Sequence, residues 1–236
     1  MFARHFEGAP AWPISVCWMT PGEFLARWSK VMFKPFLMIP GFLAMLVALV
    51  SFVRPLFTMP ATLPCAPQCA QSDLRNQDLA RANLRSVNLA LADLREINLR
   101  HANLIYADVR HANLRSADLR DADLTGATLL TSDLRGADLT NARLRFADLR
   151  GVDLRNANLT HADLRGAKMS GARLERATLL YANLVEADLT DATLHRTDLR
   201  GADLRRADLR NADLRMVLLD GAHLEGADTS GAIINR

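Results

Sequence analysis

The chain has 236 residues, 50% of them apolar, and a formal net charge of +3. The excess charge lies in residues 1–70, which hold five basic and two acidic residues, whereas residues 71–236 hold 24 of each sign. A densely charged but neutral second part argues against a nucleic-acid binder and against an acidic nucleic-acid mimic, and three cysteines, Cys17, Cys65 and Cys69, form no disulfide framework.

In chain order, the first feature is FLMIPGFLAMLVALVSFV, residues 36–53, which carries no charge over 18 positions. That length just reaches the thickness of a bilayer core. Lys30 and Lys34 flank it on one side and Arg54 on the other, with Trp18 and Trp28 where interfacial aromatics belong. Pro40 and Gly41 interrupt the run, which membrane helices tolerate. The reading is an N-terminal segment over residues 1–34 and a transmembrane α-helix over 35–54. A cleaved signal peptide fits less well, because some thirty residues precede the run and no small-x-small site follows it. Four basic residues precede the span and only Arg54 follows it closely. This bias places the N-terminus in the cytoplasm and the remainder outside, in a bacterium the periplasm beyond the inner membrane.

Residues 55–71 contain Pro55, Pro60, Pro64 and Pro67 and read as a short, stiff linker. Cys65 and Cys69 stand within it, four apart. In an oxidising compartment they can form a small disulfide; as free thiols they would pack against whatever follows. The spacing is a poor zinc signature, since the nearest histidine is His101.

From residue 72 to 236 the chain repeats a five-residue phrase. Its centres run from Leu74 to Ile234 at every fifth position, 33 in all without insertion or deletion, and 29 of them are Leu. Ala stands two residues before the centre in 25 cases, Asp or Asn just before it in 24, and Arg just after it in 16. A period of five matches neither an α-helix nor a long strand. Ala-Asp-Leu as a three-residue strand sends Ala and Leu to one side and Asp to the other. The remaining two residues, rich in Gly, Asn, Asp and Ser, then turn a corner.

The phrase A-[DN]-L-x-x resembles the pentapeptide-repeat family over residues 72–236. The resemblance implies an all-β fold: a right-handed quadrilateral β-helix with four phrases per coil. That gives about eight coils and, at roughly 4.8 Å per coil, a rod about 40 Å long. Each coil touches only its neighbours, so stability is a sum over coils.

Residues 20 apart then stack in columns. Arg75, Arg95, Arg115, Arg135 and Arg155 form one such column, beside Asp73, Asp93, Asn113, Asp133 and Asp153. Carboxylates next to the arginines favour an ion-pair ladder over an anion-binding stripe. Between Lys168 and Thr197 the pattern lapses: no Arg follows a centre, and Leu180, Tyr181 and Val185 point outward by register. These three are the first candidate partner surface; Tyr106 and Phe146, two coils apart in one corner column, are a second. Near the C-terminus Met216, Leu218, Ile233 and Ile234 form a candidate homodimer surface, a mode the resemblance also implies.

No nucleophile–base pair, metal-ligand spacing or Gly-rich phosphate loop stands out, and the carboxylates follow the repeat period. The sequence therefore reads as a non-enzyme without cofactor or metal. Its leading function is a membrane-anchored scaffold for an unidentified protein partner. The resemblance supplies two alternatives, topoisomerase protection by DNA mimicry and a secreted effector inserted in a host membrane.

Overall fold

In the computed structural model, Leu63 and residues 65–234 are described, and all fall within one compact unit, Met59–Arg236. The transmembrane reading of residues 35–54 lies outside the described residues; among those described, no helix is long and apolar enough to cross a membrane.

The described chain winds as a β-helix with a 20-residue coil. Single-residue parallel bridges join each residue before a centre to its equivalent 20 positions on, from Gln68–Asn88 to Asp213–Ile233. Four phrases make one coil, so the rod has four faces. Face one carries the centres Leu74, Leu94 and onward, face two begins at Leu79, face three at Leu84 and face four at Cys69 and Leu89.

The phrase centred on Leu134 shows why the sequence takes this form. Ala137 N–H donates to Leu134 O across the turn at 3.0 Å. Leu134 N–H and Gly136 N–H donate to the following coil, at Asp153 O (2.8 Å) and Arg155 O (3.0 Å). Asp133 N–H donates to Ala112 O of the preceding coil at 3.0 Å. The fifth donor, Arg135 N–H, is met by the Asp133 side chain through Oδ1 at 3.2 Å. All five backbone donors of the phrase are satisfied, as a buried or half-buried backbone requires. Asp and Asn serve equally before the centre because both carry Oδ1, a local side-chain-to-backbone bond typical of these residues.

The corner needs a left-handed residue. Every fifth residue from Gln71 to Gly231 has φ between 53° and 74°, and 24 of these 33 are not glycine. Each such L-residue costs about 1–2 kcal/mol against the right-handed region. The regular inter-coil ladder over-determines the conformation and holds it there.

Leu and Ala from every face fill the interior. Leu134, Leu174 and their equivalents are fully buried, as are the alanines two before them. Two buried hydroxyls stand in the place of Ala, and each is satisfied: Ser132 Oγ donates to Leu129 O and Thr197 Oγ1 to Leu174 O, both at 2.7 Å.

Coil pairing begins at Gln68, inside the stretch read as linker. Cys69 occupies the place of a centre and is fully buried, and Cys65 is disulfide-bonded to it, with Cα atoms 5.0 Å apart. Gln68 Oε1 accepts from Asn88 Nδ2 at 3.0 Å, continuing the outer column with a longer side chain.

Candidate interaction surface

The outer surface is built of rungs, each made by the residues flanking a centre. In eleven rungs the arginine is held by the aspartate two positions earlier, with N···O distances of 2.5–2.7 Å. Both Nε and Nη2 donate, as in Asp133–Arg135. Weaker contacts join adjacent rungs, such as Arg135 Nε to Asp153 Oδ2 at 3.7 Å. The arginine hydrogen bonds hold these carboxyls below the usual carboxylate range; Asp73 is lowered to about 2, chiefly by the Arg75 side chain. For Asp133 and Asp153 burial pushes the carboxyl up, and the arginine hydrogen bonds more than offset it. Exposed pairs of this kind contribute little each, so the ladder is chiefly a soluble, neutral skin.

No such rung occurs between Arg155 and Asp198. Asn158/Thr160 and Asp163/Arg165 still cap the backbone, and the rungs after them read Lys168/Ser170, Arg173/Glu175, Thr178/Leu180, Asn183/Val185, Asp188/Thr190 and Thr193/His195. Arg173/Glu175 reverses the polarity of the ladder, its side chains 3.7 Å apart. Asn183 and Asp188 cap the backbone as elsewhere. Lys168, Arg173, Thr178 and Thr193 bring no Oδ1. Four buried side-chain polar atoms of the described residues lack a hydrogen bond, and three belong to this coil: Glu175 Oε2, Thr193 Oγ1 and His195 Nδ1.

The structure separates the three residues named for this coil. Tyr181 is 58% exposed, whereas Leu180 and Val185 are only half-buried. Their register sends them outward, but strand neighbours at coil spacing cover much of each side chain. The protruding feature is therefore the tyrosine at a corner.

Tyr106, Phe146 and Tyr181 all occupy corners, and each is followed 20 residues later by glycine. A Cβ at Gly126 would meet the Tyr106 ring at 2.5 Å, at Gly166 the Phe146 ring at 2.7 Å, and at Gly201 the Tyr181 ring. Each ring thus lies against the bare backbone of the next coil, a close approach that only glycine permits. Arg85 lies over the Tyr106 ring at 5.2 Å and Arg145 over Phe146 at 5.8 Å. Tyr181 instead stacks on His161, centroids 5.3 Å apart and planes within 12°. Beside Tyr181 opens a groove of about 410 Å³, lined by Leu180, Tyr181, Arg200, Gly201, Asp220 and Gly221.

Met216, Leu218, Ile233 and Ile234 are 48–61% exposed, and Leu91, which the sequence reading missed, is exposed at another corner. Among the described residues no three His, Cys, Asp or Glu side chains are placed to hold a metal ion.

Comparison with known proteins finds the family Pentapeptide repeats in eight overlapping copies, from residue 68 to residue 236. No curated protein matches the chain. Among solved structures, the chain is similar to HetL, a pentapeptide repeat protein involved in heterocyst differentiation regulation from the cyanobacterium Nostoc sp. strain PCC 7120. The identity is 27%, over 92% of this chain and 97% of that one, with a TM-score of 0.37. A pentapeptide repeat protein from the Arabidopsis thaliana thylakoid lumen is 35% identical over 41% of this chain and 70% of its own, with a TM-score of 0.33. Full-length QnrB1, a plasmid-mediated fluoroquinolone resistance protein, is 16% identical over 72% of this chain and 94% of its own, with a TM-score of 0.35. The family match spans well over half of the sequence in the same five-residue frame as the coil, and this chain belongs to the pentapeptide-repeat family, whose fold is the right-handed β-helix.

Proposed function

We propose that this protein is a non-enzymatic scaffold, a rigid β-helical rod tethered to a membrane by residues 35–54, which binds another protein through the one and a half coils at 168–197. The observation that carries this reading is the lapse of the ladder. Eleven rungs elsewhere close on an Asp–Arg pair, whereas none of the six from Lys168/Ser170 to Thr193/His195 does; this stretch holds three of the four unpartnered buried polar atoms among the described residues and presents Tyr181. A surface whose polar groups are unmet within the chain is suited to a partner that meets them.

The 18 uncharged residues at 36–53 support the anchor. The Cys65–Cys69 bond and the basic bias before the span support an oxidising, extracytoplasmic location for the rod. Rung neutrality stands against DNA mimicry, which needs an acidic rod. Self-association through Met216, Leu218, Ile233 and Ile234 is part of the proposal, since four of the eight exposed large apolar side chains among the described residues cluster there. Light scattering of Ile233→Asp tests it: the expected result is a loss of dimer, and an unchanged mass overturns it.

Reporters active on only one side of the membrane, fused to the C-terminus with residues 36–53 intact or deleted, test the anchor and its direction. The expected result is extracytoplasmic activity that is lost on deletion. Cytoplasmic activity from the intact chain overturns the orientation and returns a cytosolic partner, topoisomerase included, to the front.

A further inference from the structure

The groove beside Tyr181 has a specific chemical character. The corner column on face two reads His161, Tyr181, Gly201, Gly221. His161 stacks on the ring from one side, while the next two corners carry no side chain. Nothing closer than the Gly201 backbone, at 3.9 Å, would meet a Cβ at Gly221. The ring lies over Gly201, and the bare corner at Gly221 leaves a slot above it, with the ring as one wall.

The rim carries one carboxylate without a close ion pair. Asp220 stands where Arg200 stands one coil earlier, and no cation lies within 4 Å of it among the described residues. Arg200 attracts it through space but makes no ion pair with it within 4 Å, its Nε and Nη2 being committed to Asp198 at 2.9 and 2.7 Å. The other two corner aromatics each carry an arginine on the ring, Arg85 on Tyr106 and Arg145 on Phe146. Tyr181 is the corner aromatic over which no described arginine lies.

We propose that this groove takes an arginine side chain from a protein partner. A guanidinium is planar and weakly hydrated, stacks on aromatic faces and presents a donor fork that matches a carboxylate. Over Gly221 such a group lies against Tyr181 and reaches Asp220, while Leu180 covers its aliphatic stem. The molecule builds the same guanidinium-on-ring contact twice within itself and leaves this third one to be completed in trans. Lysine satisfies the charge but lacks the plane, and an aromatic side chain fills the plane but leaves Asp220 unmet.

This inference rests on the scaffold reading of the 168–197 coil and names what that surface recognises. The test uses the full chain in a neutral detergent, with N-acetyl-arginine amide, N-acetyl-lysine amide and N-acetyl-phenylalanine amide as probes, followed by saturation-transfer NMR. The expected result is an arginine signal at least threefold above the other two. It falls to background in Tyr181→Ala, drops severalfold in Asp220→Asn and is unchanged in Phe146→Ala. Equal signals from arginine and lysine, a stronger signal from phenylalanine, or an arginine signal that survives Tyr181→Ala each overturn it. If the arginine probe fails while photo-crosslinking at position 181 still yields a partner adduct, the arginine assignment alone is wrong. If crosslinking fails too, the scaffold reading of this coil falls with it.

Discussion

The coils on either side of residue 160 share an interior and differ in their skin. Around Leu134 the rung is Asp133/Arg135, closed on itself by two side-chain hydrogen bonds and a backbone cap. Around Leu174, two coils on along the same face, the rung is Arg173/Glu175, reversed and loosely paired. Both leucines are fully buried, and both donate to the following coil at 2.7–2.8 Å. The backbone ladder and the Leu/Ala interior thus carry the fold, and the outer rung can change without disturbing it. A repeat protein of this kind keeps its architecture in the phrase and is free to place recognition in the departures.

The largest expected effect probes the shared interior. Leu134→Ala and Leu174→Ala each lose a buried isobutyl group and cost about 2–5 kcal/mol. Denaturant unfolding should find the two losses alike to within about 1 kcal/mol. A much smaller loss at Leu174 would mean that the irregular coil is loosened inside as well as outside.

Next come the corners. Gly171→Ala meets no atom within 4 Å and pays only for its left-handed backbone, about 1 kcal/mol. Gly201→Ala carries the same backbone cost and also displaces the Tyr181 ring, for a total of about 2 kcal/mol or more. Equal losses would show that the ring does not rest on the glycine.

Smaller effects separate the two skins. Asp133→Ala removes both the cap and the ion pair and should cost about 1 kcal/mol. Asp133→Asn keeps Oδ1 and should cost a few tenths. Lys168→Ala, in a rung with neither, should lie within about 0.5 kcal/mol of the parent. Matching losses at 133 and 168 would dissolve the distinction between the coils.

The same carboxylates set the response to acid. Their folded pKa values are lowered, so each contributes stability above its unfolded value, near 4, and loses it as pH falls through the folded one, about 2 for Asp73. The melting temperature should therefore hold from pH 6 to about 4 and fall between about 4 and 2. A fall completed above pH 5 would contradict the rung assignment.

Much of this was legible in the residues. Thirty-three centres in an unbroken frame of five leave no room for a helix, and the alternation of Ala, Asp and Leu gives inside and outside directly. The cap shows in the sequence only as the interchange of Asp with Asn, because an ion pair alone would not accept Asn. The glycines under the aromatics were also readable, since Gly126, Gly166 and Gly201 each follow an aromatic by 20 residues. By position alone they read as turn residues only. The start of the coil at Gln68 was hidden because Cys69 replaces Leu and Gln68 replaces Asp, and the nearby prolines suggested a linker. Register alone sent Leu180 and Val185 outward; how much their neighbours cover them depends on packing between coils, which a single repeat does not contain.

The central claim is that recognition sits in the irregular coil and not on the ladder. A photo-crosslinking amino acid placed in turn at positions 181, 135 and 120 of the full chain in living cells tests it most directly. The account predicts a discrete protein adduct at 181 that Asp220→Asn weakens, and none at 135 or 120. Adducts of equal strength at all three positions, or adducts at 135 and 120 alone, would contradict it.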